Sequence, residues 1–108
     1  MTPIEEPAEA GCDVQISYGS FGPGVDTALR QRIADLLASD AGVTRLSEEA
    51  WGREGETTVC VHARDAAAAN RLFETIVAML PTSAPRAPTT VTHRDGRVRG
   101  SGGRTSRH

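Results

Sequence analysis

The spacing of hydrophobic residues switches along the chain between a period of two and a period of three to four, and this order constrains the fold most. Alternation over residues 12–18 predicts a half-buried strand. A helical stripe of apolar residues follows over residues 25–37. A second helix is predicted to begin after Asp65, a favourable N-cap, and to end before Pro81. The sequence therefore predicts two helices, each of which follows a predicted strand.

Three further segments are predicted to be strands. Residues 43–53 show a weaker pattern whose register is not defined by alternation, and their charges suit a sheet edge. Residues 57–63 alternate clearly and are predicted to form a central strand after a glycine-containing hairpin. Residues 89–100 hold the last strand, and Asp95-Gly96 within them is a dipeptide that favours a hairpin turn.

The resulting order, β-α-β-β-α-β, is that of a ferredoxin-like α+β sandwich. We expect a four-stranded antiparallel sheet with two helices on one face, and the first and third strands as an adjacent central pair that runs parallel. We expect residues 12–97 to form this single domain, preceded by a flexible segment over residues 1–11. Residues 98–108, rich in Arg, Gly and Ser, are expected to be a disordered tail. This architecture hosts many unrelated functions, so it does not define an activity.

Composition narrows the class of protein. The chain has 108 residues, of which 38% are hydrophobic and 24% charged, so it is neither fully disordered nor a membrane protein. All twelve basic residues are arginine, which we attribute to a GC-rich bacterial genome. Two cysteines are too few for a disulfide framework, and the N-terminus lacks the pattern of a secretory signal. A bacterial cytoplasmic protein with no membrane association is predicted.

The charges are distributed unevenly. Residues 1–80 hold six arginines against thirteen acidic residues, a net charge of −7. Residues 81–108 hold six arginines against one aspartate, a net charge of +5. An acidic body with a basic tail suggests either interaction through charge or internal neutralisation.

Cys60 and His62 lie two residues apart, which raises the possibility of a metal or catalytic site. Both are expected on the open face of the sheet, whereas Cys12 and His93 have the opposite parity and are expected to point towards the helices. On this interpretation Cys12 shares no metal and forms no disulfide with Cys60. Because structural zinc needs four ligands and no nucleophile, base and oxyanion site are assembled, we predict no catalytic residue, no metal ligand and no cofactor. A thiol- or metal-dependent activity at Cys60 and His62 remains a third hypothesis.

The loop between the first strand and the first helix is rich in glycine. Exposed backbone N–H groups near a helix N-terminus make a generic anion site, here at Ser20, Gly22 and Gly24. The spacing matches no nucleotide-binding motif, and Asp26 opposes an anion. The alternative is that the loop only turns the chain.

The basic tail is the second candidate for binding. Its arginines can neutralise phosphates without reading a nucleic-acid sequence. No aromatic residue is interleaved for base stacking, so the alternative is a solubilising tail that neutralises the acidic body. The arginines concerned are Arg94, Arg97, Arg99, Arg104 and Arg107.

Trp51 falls at the end of the weak second strand, where it either anchors an interface or caps the core. We therefore expect a small non-enzymatic protein-binding module of the regulatory, inhibitor or immunity type. It would act through its edge strand, open sheet face or acidic surface on a protein partner, or as a homodimer. The residues predicted to bind are Gln15, Ser17, Trp51, Cys60 and His62. Association with nucleic acid through the tail is the alternative.

Overall fold

The computed structural model describes residues 11–20, 24–52, 55–82 and 86–101, and these residues form an α+β fold with two helices and a five-stranded antiparallel sheet. The strands lie in the order β2-β3-β1-β4-β5. In chain order the elements are β1 (Val14–Tyr18), α1 (Thr27–Ser39), β2 (Val43–Ala50), β3 (Thr57–Ala63), α2 (Ala66–Met79), β4 (Thr89–His93) and β5 (Val98–Gly100).

Two features of the sheet differ from the sequence prediction. The central pair β1 and β3 is adjacent, as expected, but antiparallel and not parallel. The reason is that each helical crossover skips one strand, so that the intervening strand must run the opposite way. The sheet also has a fifth strand, β5, which lies within the segment predicted to be disordered.

A tight turn at residues 94–97 folds β5 back onto β4. Gly96 adopts φ +103°, a conformation that L side chains rarely adopt, and its N–H donates to the His93 oxygen at 2.9 Å. The His93 N–H in turn donates to the Arg97 oxygen at 2.8 Å. The Asp95-Gly96 signal in the sequence was therefore a true hairpin signal, and the strand after it follows from that turn.

The core lies between the helices and one face of the sheet. The alternation predicted for the first strand is confirmed, because its apolar residues are buried while the intervening residues are half-buried. In β3 the burial does not alternate, because Cys60 is buried as well as Val59 and Val61. The helices contribute the stripes that the sequence indicated. The core cluster includes Val14, Ile16, Tyr18, Leu29, Ile33, Leu37, Val59, Val61, Leu72, Phe73, Ile76 and Val91.

Aspartates fix the helix ends. Asp26 and Asp65 cap α1 and α2, accepting from the N–H groups of Leu29 and Ala68 at 3.0 and 2.8 Å. Arg71 of α2 makes two hydrogen bonds to Asp40 after α1, at 2.7 and 2.9 Å, and these hold the pKa of Asp40 down to about 2. No helix in the described part of the chain is long and apolar enough to cross a membrane.

Candidate functional site

The face of the sheet opposite the helices carries most of the residues predicted to bind. Gln15 lies opposite both Cys60 of β3 and Thr92 of β4, and Ser17 lies two residues further along β1. His62 follows Cys60 on the same face. The structure thus brings these four predicted residues to one surface, and Trp51 lies at its margin, where its indole Nε1 donates to Thr58 Oγ1 at 3.1 Å.

A disulfide joins Cys12 to Cys60, with 5.4 Å between their Cα atoms. The prediction that these cysteines could not form a disulfide was wrong. It extended the alternation of β1 back to Cys12, but β1 begins at Val14 and the chain bends at Asp13. Cys12 therefore reaches the open face, where Cys60 also lies. Both cysteines are buried, Cys60 with only 1% of its surface exposed.

Asp13 is the residue that makes this bend. Its N–H donates to the Val61 oxygen at 2.9 Å, and its carboxylate accepts from the Ala63 N–H at 2.7 Å. Its other carboxylate oxygen pairs with Arg94 at 2.6 Å. The Asp13 side chain thus takes the Ala63 N–H that a backbone oxygen would accept in a regular ladder, and the strand alternation ends before Cys12.

His62 lies between the disulfide and the edge strand β2. Its Nε2 is 3.6 Å from Cys60 Sγ and 3.1 Å from an Arg45 guanidinium nitrogen. Since a guanidinium only donates, His62 Nε2 is the acceptor in the contact with Arg45. With both cysteines oxidised, this form of the protein has no thiol nucleophile at the Cys60–His62 pair.

A shallow groove of about 260 Å³ lies beside the disulfide on the open face. Arg94 at its rim is already paired with Asp13. Within the described residues, no three His, Cys, Asp or Glu side chains are grouped in a way that would hold a metal ion. The lining residues are Cys12, Gln15, Thr92, His93, Arg94 and Gly96.

The described arginines of the predicted tail bind the chain itself. Arg97 forms ion pairs with Glu74 and Asp95, each at 3.0 Å, and also contacts Asn70. Arg99 donates to the neighbouring Val98 oxygen at 3.0 Å. Arg104 and Arg107 lie outside the described residues.

The predicted anion loop uses its own polar groups. The Gly24 N–H donates to Ser20 Oγ at 2.9 Å, and Asp26 occupies the Leu29 N–H at the start of α1. Gly22 lies outside the described residues. The chain itself therefore takes the amides of Gly24, Leu29 and Arg30 at this helix N-terminus.

Strand β2, by contrast, presents an open edge. It is the first strand of the sheet order, and seven of its eight residues are exposed. Trp51 N–H donates to the Glu56 oxygen at 2.9 Å, which fixes the phase of the β2–β3 ladder. Hydrogen-bonded and non-hydrogen-bonded pairs alternate along such a ladder, so Leu46, Glu48 and Ala50 direct their N–H and C=O groups away from β3.

Two large hydrophobic side chains accompany this edge. Leu46 is 42% exposed and Trp51 is 44% exposed, and they are the exposed large hydrophobics of the described residues. Leu46 lies on the helix side because it is opposite Val61, yet α1 does not cover it. The sequence singled out Trp51 but not Leu46, because the register of β2 was unknown.

A small apolar pocket of about 60 Å³ lies between α1 and β2 beneath Leu46. Arg30 of α1 spans it, with its guanidinium 5.6 Å from the centre of the Tyr18 ring and 3.6 Å from the Glu48 carboxylate. Burial raises the pKa of the Tyr18 hydroxyl to about 12, so the ring beneath Arg30 stays neutral. These contacts hold β2 in place from one side only.

Comparison with protein-family models, with curated proteins and with solved structures finds no match to the chain.

Proposed function

We propose that the chain is a small, non-enzymatic protein-binding module whose partner adds an extended strand to the edge of β2. The observation that carries the proposal is the combination of outward-facing backbone groups on β2 with exposed Leu46 and Trp51 beside them. Main-chain hydrogen bonds at such an edge supply affinity, and flanking hydrophobic side chains supply anchors. The polar open face, with Gln15, Ser17 and His62, extends the same contact.

Within this proposal, the first six elements form a ferredoxin-like core and β5 extends it on the side away from β2. The extension matters for function because it leaves β2 as the long edge and makes the opposite edge only three residues long. Very short edge strands discourage pairing with another chain. The two edges therefore differ, and β2 is the one suited to a partner.

The proposal does not extend to nucleic acid. Arg94 and Arg97, which that alternative needs for phosphates, are paired with Asp13, Glu74 and Asp95. These contacts support the alternative in which the basic segment neutralises the acidic body.

The disulfide bears on where the protein works. The cytoplasmic location was predicted because the N-terminus lacks a secretory pattern and two cysteines are too few for a disulfide framework. Protein disulfides, however, persist mainly in oxidising compartments. We therefore propose an oxidising compartment, supported by the Cys12–Cys60 bond. Thiol alkylation of protein acid-quenched in its native cells tests this: extensive labelling of Cys12 and Cys60 there would contradict it.

Photo-crosslinking in native cells tests the proposed edge. Benzoylphenylalanine in place of Leu46 or Trp51 should capture a protein, because both side chains flank the proposed strand contact. The same probe in place of Thr75, an exposed residue of α2, should capture none. Mass spectrometry identifies each product. If the β2 positions yield no more product than Thr75, the proposal is wrong.

A proline pair sharpens this experiment. Glu48→Pro removes an outward N–H and should abolish capture from Leu46 while the sheet stays folded, because proline is tolerated where the edge N–H faces solvent. Ser47→Pro removes an inward N–H that pairs with Cys60 and should instead destabilise the fold. Retained capture in Glu48→Pro would contradict strand addition.

A further inference from the structure

We infer that the strand added to β2 is the β2 strand of a second copy of this chain, paired antiparallel about a twofold axis at Ser47. The inference rests on the proposed function in that it takes the same edge as the interface. Beyond the proposed function, the inference specifies the partner, a second copy of the chain, and the register of the two strands.

The ladder limits the possible registers. Two antiparallel copies of β2 pair only if outward-facing residues lie opposite outward-facing residues, because only these have unpaired backbone groups to exchange. The twofold axis must then pass through a residue and not between two. In each such register the helix layers of both copies lie on the same side of a continuous sheet, as in a closed, isologous dimer.

The charges on β2 select one of these registers. With the axis at Ser47, Arg45 lies opposite the partner's Glu49, and the symmetry repeats this pair on the other side. With the axis at Glu48 or at Arg45, like charges meet directly across the axis, which is unfavourable. With the axis at Leu46, Arg45 meets only Ser47 of the partner subunit. The charges that would discourage edge pairing in other registers therefore favour it in this one.

The residues concerned are available for this pairing. Arg45 and Glu49 lie on the open face, opposite His62 and Thr58 of β3, and both are exposed. In the part of the chain that the structure describes, no cation is paired with Glu49, whereas Glu48 already holds Arg30. Among the described residues the Arg45 guanidinium contacts His62, and its remaining N–H donors can reach a carboxylate.

The same register also covers Leu46. Its backbone exchanges hydrogen bonds with the partner's Glu48, and the two Leu46 side chains become diagonal neighbours on the helix side. Diagonal neighbours in an antiparallel pair are within reach of long side chains. The 42% exposure of Leu46 in the single chain is then the exposure of an interface residue.

Charge reversal at the two positions tests the register. Arg45→Glu alone places Glu opposite Glu, and Glu49→Arg alone places Arg opposite Arg, so each variant should dimerise about tenfold or more weakly than wild type. Mixing the two variants should restore a dimer whose dissociation constant lies within about threefold of that of the wild type, because every cross-axis pair is again Arg with Glu. Sedimentation velocity measures this, with the dimer at twice the 11.4 kDa mass of one chain.

Arg32→Glu on α1 is the matched control for net charge and should leave dimerisation unchanged. Recovery on mixing also shows that both variants are folded, so loss in each alone cannot be misfolding. A monomeric wild type, or mixed variants that stay monomeric, overturns the dimer. The proposed function then stands if Leu46 still crosslinks another protein, and it falls separately if neither Leu46 nor Trp51 crosslinks any protein.

Discussion

Reduction of the Cys12–Cys60 disulfide is expected to lower the free energy of unfolding by about 4 kcal/mol. The bond joins residues separated by 48 positions, so it closes a long loop and removes much conformational freedom from the unfolded chain. A domain of this size has a total stability of only about 5–15 kcal/mol. The midpoint of urea unfolding, measured with and without dithiothreitol, should therefore shift strongly.

The double variant Cys12→Ser/Cys60→Ala provides the control. Its midpoint should lie close to that of the reduced wild type, and dithiothreitol should not move it. A wild-type midpoint that is insensitive to reductant would contradict the expected role of the bond. Cys60 lies opposite Ser47 of β2, so the bond ties Cys12 to the strand that pairs with the edge strand.

The open face shows where sequence reasoning succeeds and where it stops. The parity of β3 correctly placed Cys60 and His62 together, because alternation is a local property of a strand. The parity of β1 misplaced Cys12, because the bend at Asp13 depends on hydrogen bonds with Val61 and Ala63, about fifty positions away in sequence. No local pattern contains that information.

The register of the edge strand β2 could not be predicted from its sequence. The charges of β2 correctly indicated an edge, but its register depends on a bulge between Val43 and Arg45 that breaks the alternation. Without the register, Leu46 could not be assigned to the helix side, and Arg45 and Glu49 could not be assigned to one face. The candidate interface is therefore visible only once the ladder with β3 is known.

The hairpin of β4 and β5 was only half predicted. Its turn has a sequence signal, but β5 itself is short and rich in Gly and Arg, which resembles a disordered tail. Contacts with other parts of the chain hold β5 in place. Ser101 N–H donates to the Thr89 oxygen at 2.8 Å, and Arg97 lies over the Phe73 ring of α2, 4.8 Å from its centre.

Phe73→Ala should therefore cost about 3–5 kcal/mol of stability and loosen this hairpin in particular. The ring is 1% exposed and meets the His93 ring edge-on, with 5.4 Å between centres. Removal of the ring leaves a cavity against His93, whose Nε2 is buried without a hydrogen-bond partner among the described residues. It also removes the aromatic surface on which Arg97 lies. Phe73→Leu, which keeps most of the volume, should cost about 1 kcal/mol.

Urea unfolding measures the total loss, and native-state hydrogen exchange locates it. The Ser101 and His93 N–H groups, which close the hairpin, should lose more protection than the Trp51 N–H, which reports on the β2–β3 ladder. An equal loss at all three amides would mean that Phe73 stabilises the fold as one unit and not the hairpin. A selective loss would mean that the β5 side opens independently of β2, so that the edge proposed to bind a partner remains formed when the opposite edge does not.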